Sequence, residues 1–242
     1  MDGTTDVTRT FFYGENPTDE QVEMYTRVLM GAIDLAKVVV PINTQERFLD
    51  ILTRQYIFQK ELNYRHGTGH GIGAYLKVHE SPTYVGFSSQ KYPGKLKPNI
   101  FFSDEPGYYK EGEFGMRLET ILRTVLTNSS DNSYGTPISN LFDLHNNIMP
   151  QEVLKSELNV TFLLILGEFI RFVPVTLVPF EPNMIDFTML NPSQINWYNE
   201  YNQLIRKNVV PRLQELDDEK AIKWIFSRTK PVNPYIGFKK EL

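Results

Sequence analysis

From Phe114 to Val125 the side chains alternate: Met116, Leu118, Thr120 and Leu122 fall on one side, and Arg117, Glu119, Ile121 and Arg123 on the other. Extended chain sorts side chains with this two-residue period, so the segment is predicted as a strand that sets Arg117 and Glu119 on one face. Strand-forming residues also occupy Asn99 to Phe102 and Phe169 to Phe180. Pro174 and Pro179 interrupt the latter and suit an edge or a bend. The opening DGTTDVTRTFFY carries an Asp-Gly turn signal and then Val7, Thr8, Thr10, Phe11 and Phe12, a strand composition. Such a turn has a strand on each side, and only Met1 precedes this one, so the chain is expected to begin in the middle of a hairpin.

Helical spacing accounts for much of the rest. Thr18 and Gln21 make a capping pattern ahead of Val22, Tyr25, Val28, Leu29, Ala32, Ile33 and Ala36, a run that Pro41 ends. A second helix is expected from Asn43 or Thr44, with Phe48, Leu49, Leu52 and Tyr56 on one face. Asn191-Pro192-Ser193 opens a third through Ile195, Tyr198, Tyr201, Leu204 and Ile205, with Pro211 expected to kink or break it. A short amphipathic piece follows at Ala221 to Phe226. The order of strand, two helices, strands and helices predicts an α+β domain in which helices cover a curved, largely antiparallel sheet. With 242 residues and 41% hydrophobic content the chain can bury a core, and 1–242 reads as one domain. Residues 128–167, rich in Asn and Ser and ending in NVTFLLIL, read as an insertion; the glycosylation sequons at Asn128 and Asn159 read as chance matches.

Composition removes several function classes. The longest apolar run, near Phe162 to Leu166, falls far short of the ~20 residues a membrane span requires, and the N-terminus has no signal-peptide pattern, so the cytoplasm is expected and a membrane is not. The net charge of −4, with no Lys/Arg stripe, argues against nucleic acid. The closing Lys239 to Leu242 only faintly echoes a retention signal. The absence of cysteine means that any metal must be held by oxygen and imidazole.

The stretch HGTGHGIGAYLKVHESP, residues 66 to 82, holds three of the four histidines and four of the fifteen glycines. Gly69, Gly71 and Ala74 match a dinucleotide-binding pattern, but that fingerprint needs a strand before it and a helix after it, whereas a helix is expected before and extended chain after. The glycines instead clear side chains from around His66 and His70, leaving room for a ligand or metal. Oxygen ligands are available at Asp6, at Glu105 in SDEPGYY and at Glu119. Such a set suits Mn²⁺, Co²⁺, Fe²⁺ or a labile Zn²⁺ pair better than a structural zinc. His66 and His79 are then placed to stabilise an oxyanion or pass protons. The spacing alone also fits buried histidines bonded to carbonyls, with the acids in surface pairs.

At these residues the chain resembles the catalytic domain of the metal-dependent Xaa-Pro aminopeptidases (aminopeptidase P), pita-bread metallopeptidases of family M24. DGTTDVTRT, HGTGHGIG, VHESP, SDEPGYY, FGMRLET and FVPVTLVPFEP occur in the family's order, and the likeness runs on through NWYNEYN to KWI, omitting mainly 128–167. The resemblance implies a pita-bread fold with Asp6, His70, Glu105 and Glu119 as metal ligands, Asp6 and Glu119 bridging two Mn²⁺ ions. It implies hydrolysis of the N-terminal Xaa-Pro bond by a metal-bridging hydroxide. His66 and His79 would position the scissile amide and stabilise the tetrahedral intermediate, and Glu105 would relay a proton. Arg117 would orient the Glu119 carboxylate or pair with it. The implied partners are peptides with proline in second position and, as a homodimer, a second copy of the chain.

The family pattern places another metal-binding aspartate upstream of Asp6, on the partner strand of the first hairpin, and adds N-terminal domains. The chain starts too late to contain either. It is therefore expected to hold one ion well and to have little peptidase activity. The other readings are a non-catalytic pita-bread binding module and a prolidase-like dipeptidase.

Overall fold

The protein is described by a computed structural model that covers residues 3–75, 77–87, 94–127 and 168–236. The segment 128–167 with its sequons, the Asp2 half of the opening turn and the tail 239–242 lie outside the described residues.

The alternating segment organises the sheet. Strand β7, Phe114–Leu126, is 13 residues long, and antiparallel strands line both of its edges. On one edge lie β6, Gly107–Lys110, with Gly107 opposite Arg117, and then β5, Phe101–Asp104, with Asp104 opposite Thr120. The other edge pairs with β1, Thr8–Arg9, with Thr8 opposite Glu119, and then with β8, Phe169–Pro174, with Leu122 opposite Pro174. Beyond β5 comes the hairpin of β3, Gly69–Ile72, and β4, His79–Val85; beyond β8 comes β2, Val40–Pro41. Pro41 thus sits on an edge strand, where its missing N–H is tolerated. The sheet curls into a half-barrel. Leu118 and Leu122 are fully buried, as the alternation predicts, and Glu119 from the opposite set is buried too, so both faces of mid-β7 are covered.

Helix α1, Asp19–Lys37, starts with the expected capping box between Thr18 and Gln21, and it sinks Tyr25, Val28, Leu29, Ile33 and Leu35 into the core. The second helix begins later than its pattern suggested. Asn43 takes a left-handed turn with φ of 67°, a 3₁₀ turn spans Glu46–Leu49, and α2 runs Asp50–Phe58. The tighter 3₁₀ winding takes Phe48 off the buried stripe, leaving it 57% exposed while Leu49 is 1% exposed. Similarly, β5 begins at Phe101 because Asn99 has a φ of 64°, which no strand accommodates. Helix α3, Pro192–Glu215, passes through Pro211 without a break, and α4, Glu219–Arg228, packs beside it. The Arg228 guanidinium forms an ion pair with the buried Glu181 carboxylate, tying α4 to the segment after β8.

Candidate metal centre

The candidate ligands come from four segments that meet across β7. The register explains how. Between β5 and β6 the chain turns at Glu105-Pro106, and the Leu118 N–H donates to the Pro106 carbonyl at 3.1 Å, which places Glu105 beside Glu119. On the other edge Thr8 faces Glu119 and its hydroxyl donates to Glu119 Oε2 at 2.7 Å, bringing Asp6, on the same side of the chain two residues earlier, into the same space. His70 enters from β3. Its Nε2 lies 3.4 Å from Asp6 Oδ2 and 3.2 Å from Glu105 Oε1.

His70 Nδ1 lies 3.0 Å from the Gly71 carbonyl, which can only accept, so Nδ1 carries a proton and Nε2 is the atom turned to the acids. Burial lowers the His70 pKa, but the bond to Glu105, the Gly71 carbonyl and the nearby Asp6 charge outweigh it and hold the ring above its ordinary value. For Glu105 burial pushes upward, and His70, the Ser103 hydroxyl at 3.0 Å and Arg117 bring the carboxyl below its usual range. Glu119 goes the other way: burial first, then the Glu105 and Asp6 charges, push it up to about 7 against the pull of the Thr8 hydroxyl. Next to it Asp104 is fully buried, and burial with repulsion from Glu105 lifts it well above the usual carboxylate range.

This crowding of acids is what a cation relieves. The Asp6 Oδ2 atom is buried with no hydrogen-bond partner among the described residues, an expensive state for an anion. One oxygen or nitrogen from each of His70, Glu105 and Glu119 lies within 4.8 Å of the others, and the same holds for Asp6, His70 and His79. The residues therefore fit a metal, and an oxygen-rich one.

Sequence reasoning expected the glycines of HGTGHGIG to admit a ligand. Instead, protein backbone fills the space: a Cβ at Gly69 would collide with the Ser103 carbonyl, and one at Gly71 with the Glu80 carbonyl. The glycines let β3 nest against β5 and β4, which positions His70, and Gly67 and Gly69 also line the cleft beside His66 and His70.

His79 is exposed, with its ring 4.0 Å from that of His70. His66 lines the same cleft of about 450 Å³ together with His70, His79, Glu105 and Arg117. Its Nδ1 donates to the Gly67 carbonyl at 2.7 Å, so its Nε2 accepts from the Tyr109 hydroxyl at 2.9 Å. Burial lowers the His66 pKa, and the Arg117 charge adds to that, so the ring is held neutral. Arg117 meets a different partner from the one its strand position suggested. Its Nη1 pairs with Glu105 at 3.6 Å and its Nε donates to the Tyr109 oxygen at 2.9 Å. Thr8, Ser103 and Tyr109 had gone unnoticed in the sequence. Thr8 and Ser103 lie two residues from Asp6 and Glu105, so strand periodicity held a signal for both; Tyr109 had none, because its contacts depend on the turn at Pro106-Gly107.

A half-barrel of antiparallel strands, with helices packed on it and carboxylates and an imidazole meeting inside, defines a protein of the pita-bread fold with an oxygen-rich candidate metal centre. The model of metallopeptidase family M24 matches residues 1–125, and that of the C-terminal region of peptidase M24 matches residues 168–232. The chain belongs to metallopeptidase family M24. It is 33% identical over 232 residues to Xaa-Pro aminopeptidase 1 of Dictyostelium discoideum, covering 96% of this chain and 32% of that protein. To Xaa-Pro aminopeptidase 2 of Mus musculus it is 38% identical, covering 96% of this chain and 29% of that one. The crystal structure of X-prolyl aminopeptidase from Caenorhabditis elegans, described as a cytosolic enzyme with a di-nuclear active site, superposes with a TM-score of 0.76 at 32% identity over 95% of this chain and 32% of that chain. The chain thus spans about a third of the length of these relatives.

Proposed function

We propose that this chain is the catalytic domain, residues 1–242, of an aminopeptidase that releases the N-terminal residue from peptides with proline in second position. The observation that carries the reading is the meeting at His70 of two ligand sets, Asp6 with His79 and Glu105 with Glu119, where the buried Asp6 Oδ2 has no hydrogen-bond partner among the described residues, beside a cleft lined by His66, His70, His79 and Glu105. The Xaa-Pro preference is supported by the names of the relatives.

Asp6, His70, Glu105 and Glu119 would hold Mn²⁺, with Co²⁺ or Zn²⁺ as substitutes, and with these four ligands one ion is expected to be held well. When bound, such ions polarise the scissile carbonyl and make water nucleophilic at neutral pH. The protein groups do the rest. Water adds to the carbonyl carbon, and Glu105 accepts the proton this releases and delivers it to the proline nitrogen as the C–N bond breaks. His79, exposed beside His70, donates to the tetrahedral oxyanion. His66, held neutral and fixed by Tyr109, orients the scissile amide. Arg117 holds Glu105 in place through their ion pair and Tyr109 through its hydroxyl oxygen.

The same reading makes the protein a cytoplasmic homodimer. The cytoplasm is supported by the description of the nematode relative, and the described residues contain no helix long and apolar enough to cross a membrane. Sedimentation velocity tests the dimer.

The function is tested by stripping the chain with a chelator, titrating Mn²⁺ back and following an Xaa-Pro-Pro tripeptide beside an Xaa-Pro dipeptide. Slow Mn²⁺-dependent release from the tripeptide is expected, in keeping with the incomplete ligand set. Preference for the dipeptide would make the protein a prolidase, uptake of metal without turnover would make it a binding module, and failure to bind metal would sink the whole reading.

A further inference from the structure

Outside the cleft, under the loop that leads into it, lies a buried ion pair. Asp50 opens α2 and Arg54 stands one turn later, 0% and 3% exposed. Arg54 Nε meets Asp50 Oδ2 at 2.7 Å and Nη2 meets Oδ1 at 3.0 Å, a two-point pairing. Its remaining contacts reach the next loop. Nη1 donates to the Tyr64 carbonyl and to Asn63 Oδ1, and Nη2 donates to the His66 carbonyl, each at 2.7 Å. Asp50 Oδ1 accepts from the Thr68 hydroxyl at 2.5 Å. The guanidinium also lies 3.8 Å over the Tyr64 ring, whose centroid is 4.7 Å from that of His66.

The pair therefore grips the chain on both sides of His66, by the carbonyls of residues 64 and 66 and by the side chain of Thr68. From Thr68 the hold extends further, because its carbonyl accepts from the Glu105 N–H at 2.8 Å. Stability alone is a poor reason to bury such a pair, since apolar residues of similar volume often serve the fold as well or better. Specificity of position is a better one. Lysine at 54 would keep the charge, but one ammonium cannot span a carboxylate and two carbonyls in the way a planar fork does.

We propose that Asp50 and Arg54 are positioning residues that fix the 63–68 loop so that the His66 ring meets Tyr109 and the Glu105 backbone is pinned beside β7. The inference rests on the reading of the cleft as a peptidase centre, but its structural half can be measured without turnover.

The test uses the full chain in three forms: wild type, the double variant Asp50→Leu/Arg54→Met, and Arg54→Lys. The double variant removes both charges together, so no lone buried ion remains. Thermal melting reports the fold, and ¹⁵N-histidine spectra of the metal-free chain report the His66 ring. Steady-state kinetics on the Xaa-Pro-Pro peptide separate kcat from KM. A folded double variant with displaced or broadened His66 ring signals is expected, with kcat lower by about 10- to 100-fold, the scale for groups that orient catalytic residues. Arg54→Lys should shift the same signals. His66 signals and kcat like the wild type in either folded variant would overturn the proposal. If the wild-type chain turns over nothing, the peptidase reading fails by itself, and the His66 spectra still decide whether the pair positions the loop.

Discussion

Glu46 enters the interior with no basic partner among the described residues. It is 1% exposed, its Oε2 accepts from the Tyr84 N–H at 3.0 Å and Thr83 bonds it as well, yet desolvation dominates and lifts its carboxyl above the ordinary 4.5. A folded-state pKa above the unfolded value means that the folded chain binds the proton more tightly. The stability from this group is therefore complete below about pH 4.5 and is lost as pH rises through the folded pKa. Glu46→Gln keeps an oxygen for Tyr84 and has no charge to bury. In urea unfolding from about pH 4 to about pH 8, the variant should gain on the wild type as pH rises; a constant difference would show that Glu46 ionises as freely in the fold as out of it. The candidate ligands Asp6, His70, Glu105 and Glu119 were picked out in the sequence by residue type and by the family resemblance, while spacing alone left a reading without metal open. Their partners were not legible there. Which hydroxyl meets Glu119, and whether Arg117 turns to Glu119 or Glu105, is fixed by strand register and by the Pro106-Gly107 turn, and neither is written in a local pattern.

At the scale of elements, periodicity was a good guide wherever an element has one buried face. It gave α1 with its cap, and it gave β7 to within a residue at its end. It was poorer where single residues set boundaries, as at Asn43 and Asn99, whose left-handed backbone decides where α2 and β5 can begin. Pro211 is the instructive case. Of the kink or break expected at this proline, the break does not occur, for α3 continues through it to Glu215. The proline deprives the Lys207 carbonyl of its N–H partner; both residues are exposed, so water can serve that carbonyl, while Val210 anchors the turn in the core. The helix thus survives through packing rather than through propensity. Pro211→Ala restores the N–H and removes the ring clash, and it should stabilise the protein by about 1–3 kcal/mol in chemical unfolding. No gain would mean that the native backbone has already relaxed around the ring.

For the whole molecule, the candidate centre draws on residues from Asp6 to Glu119 that only the folded sheet brings together, so metal binding and folding must be coupled. A ligand that binds only the folded form at about 100 times its Kd adds about 2.7 kcal/mol. For a domain of this length each kcal/mol moves the melting temperature by about 2–4 °C, so Mn²⁺ should raise it by about 5–10 °C, reversibly on adding chelator. Glu119→Gln makes the coupling specific. Glu119 is pushed up to about 7 by burial and by the Glu105 and Asp6 charges, so above neutral pH the metal-free wild type carries repulsion that the amide lacks. Without metal the variant should melt above the wild type. With Mn²⁺ the order should reverse, because the variant has lost a ligand and with it most of the shift. A variant that melts below the wild type without metal would show that Glu119 serves the fold as a carboxylate held by the Thr8 hydroxyl, and a Mn²⁺ shift as large as that of the wild type would show that Glu119 is not a metal ligand.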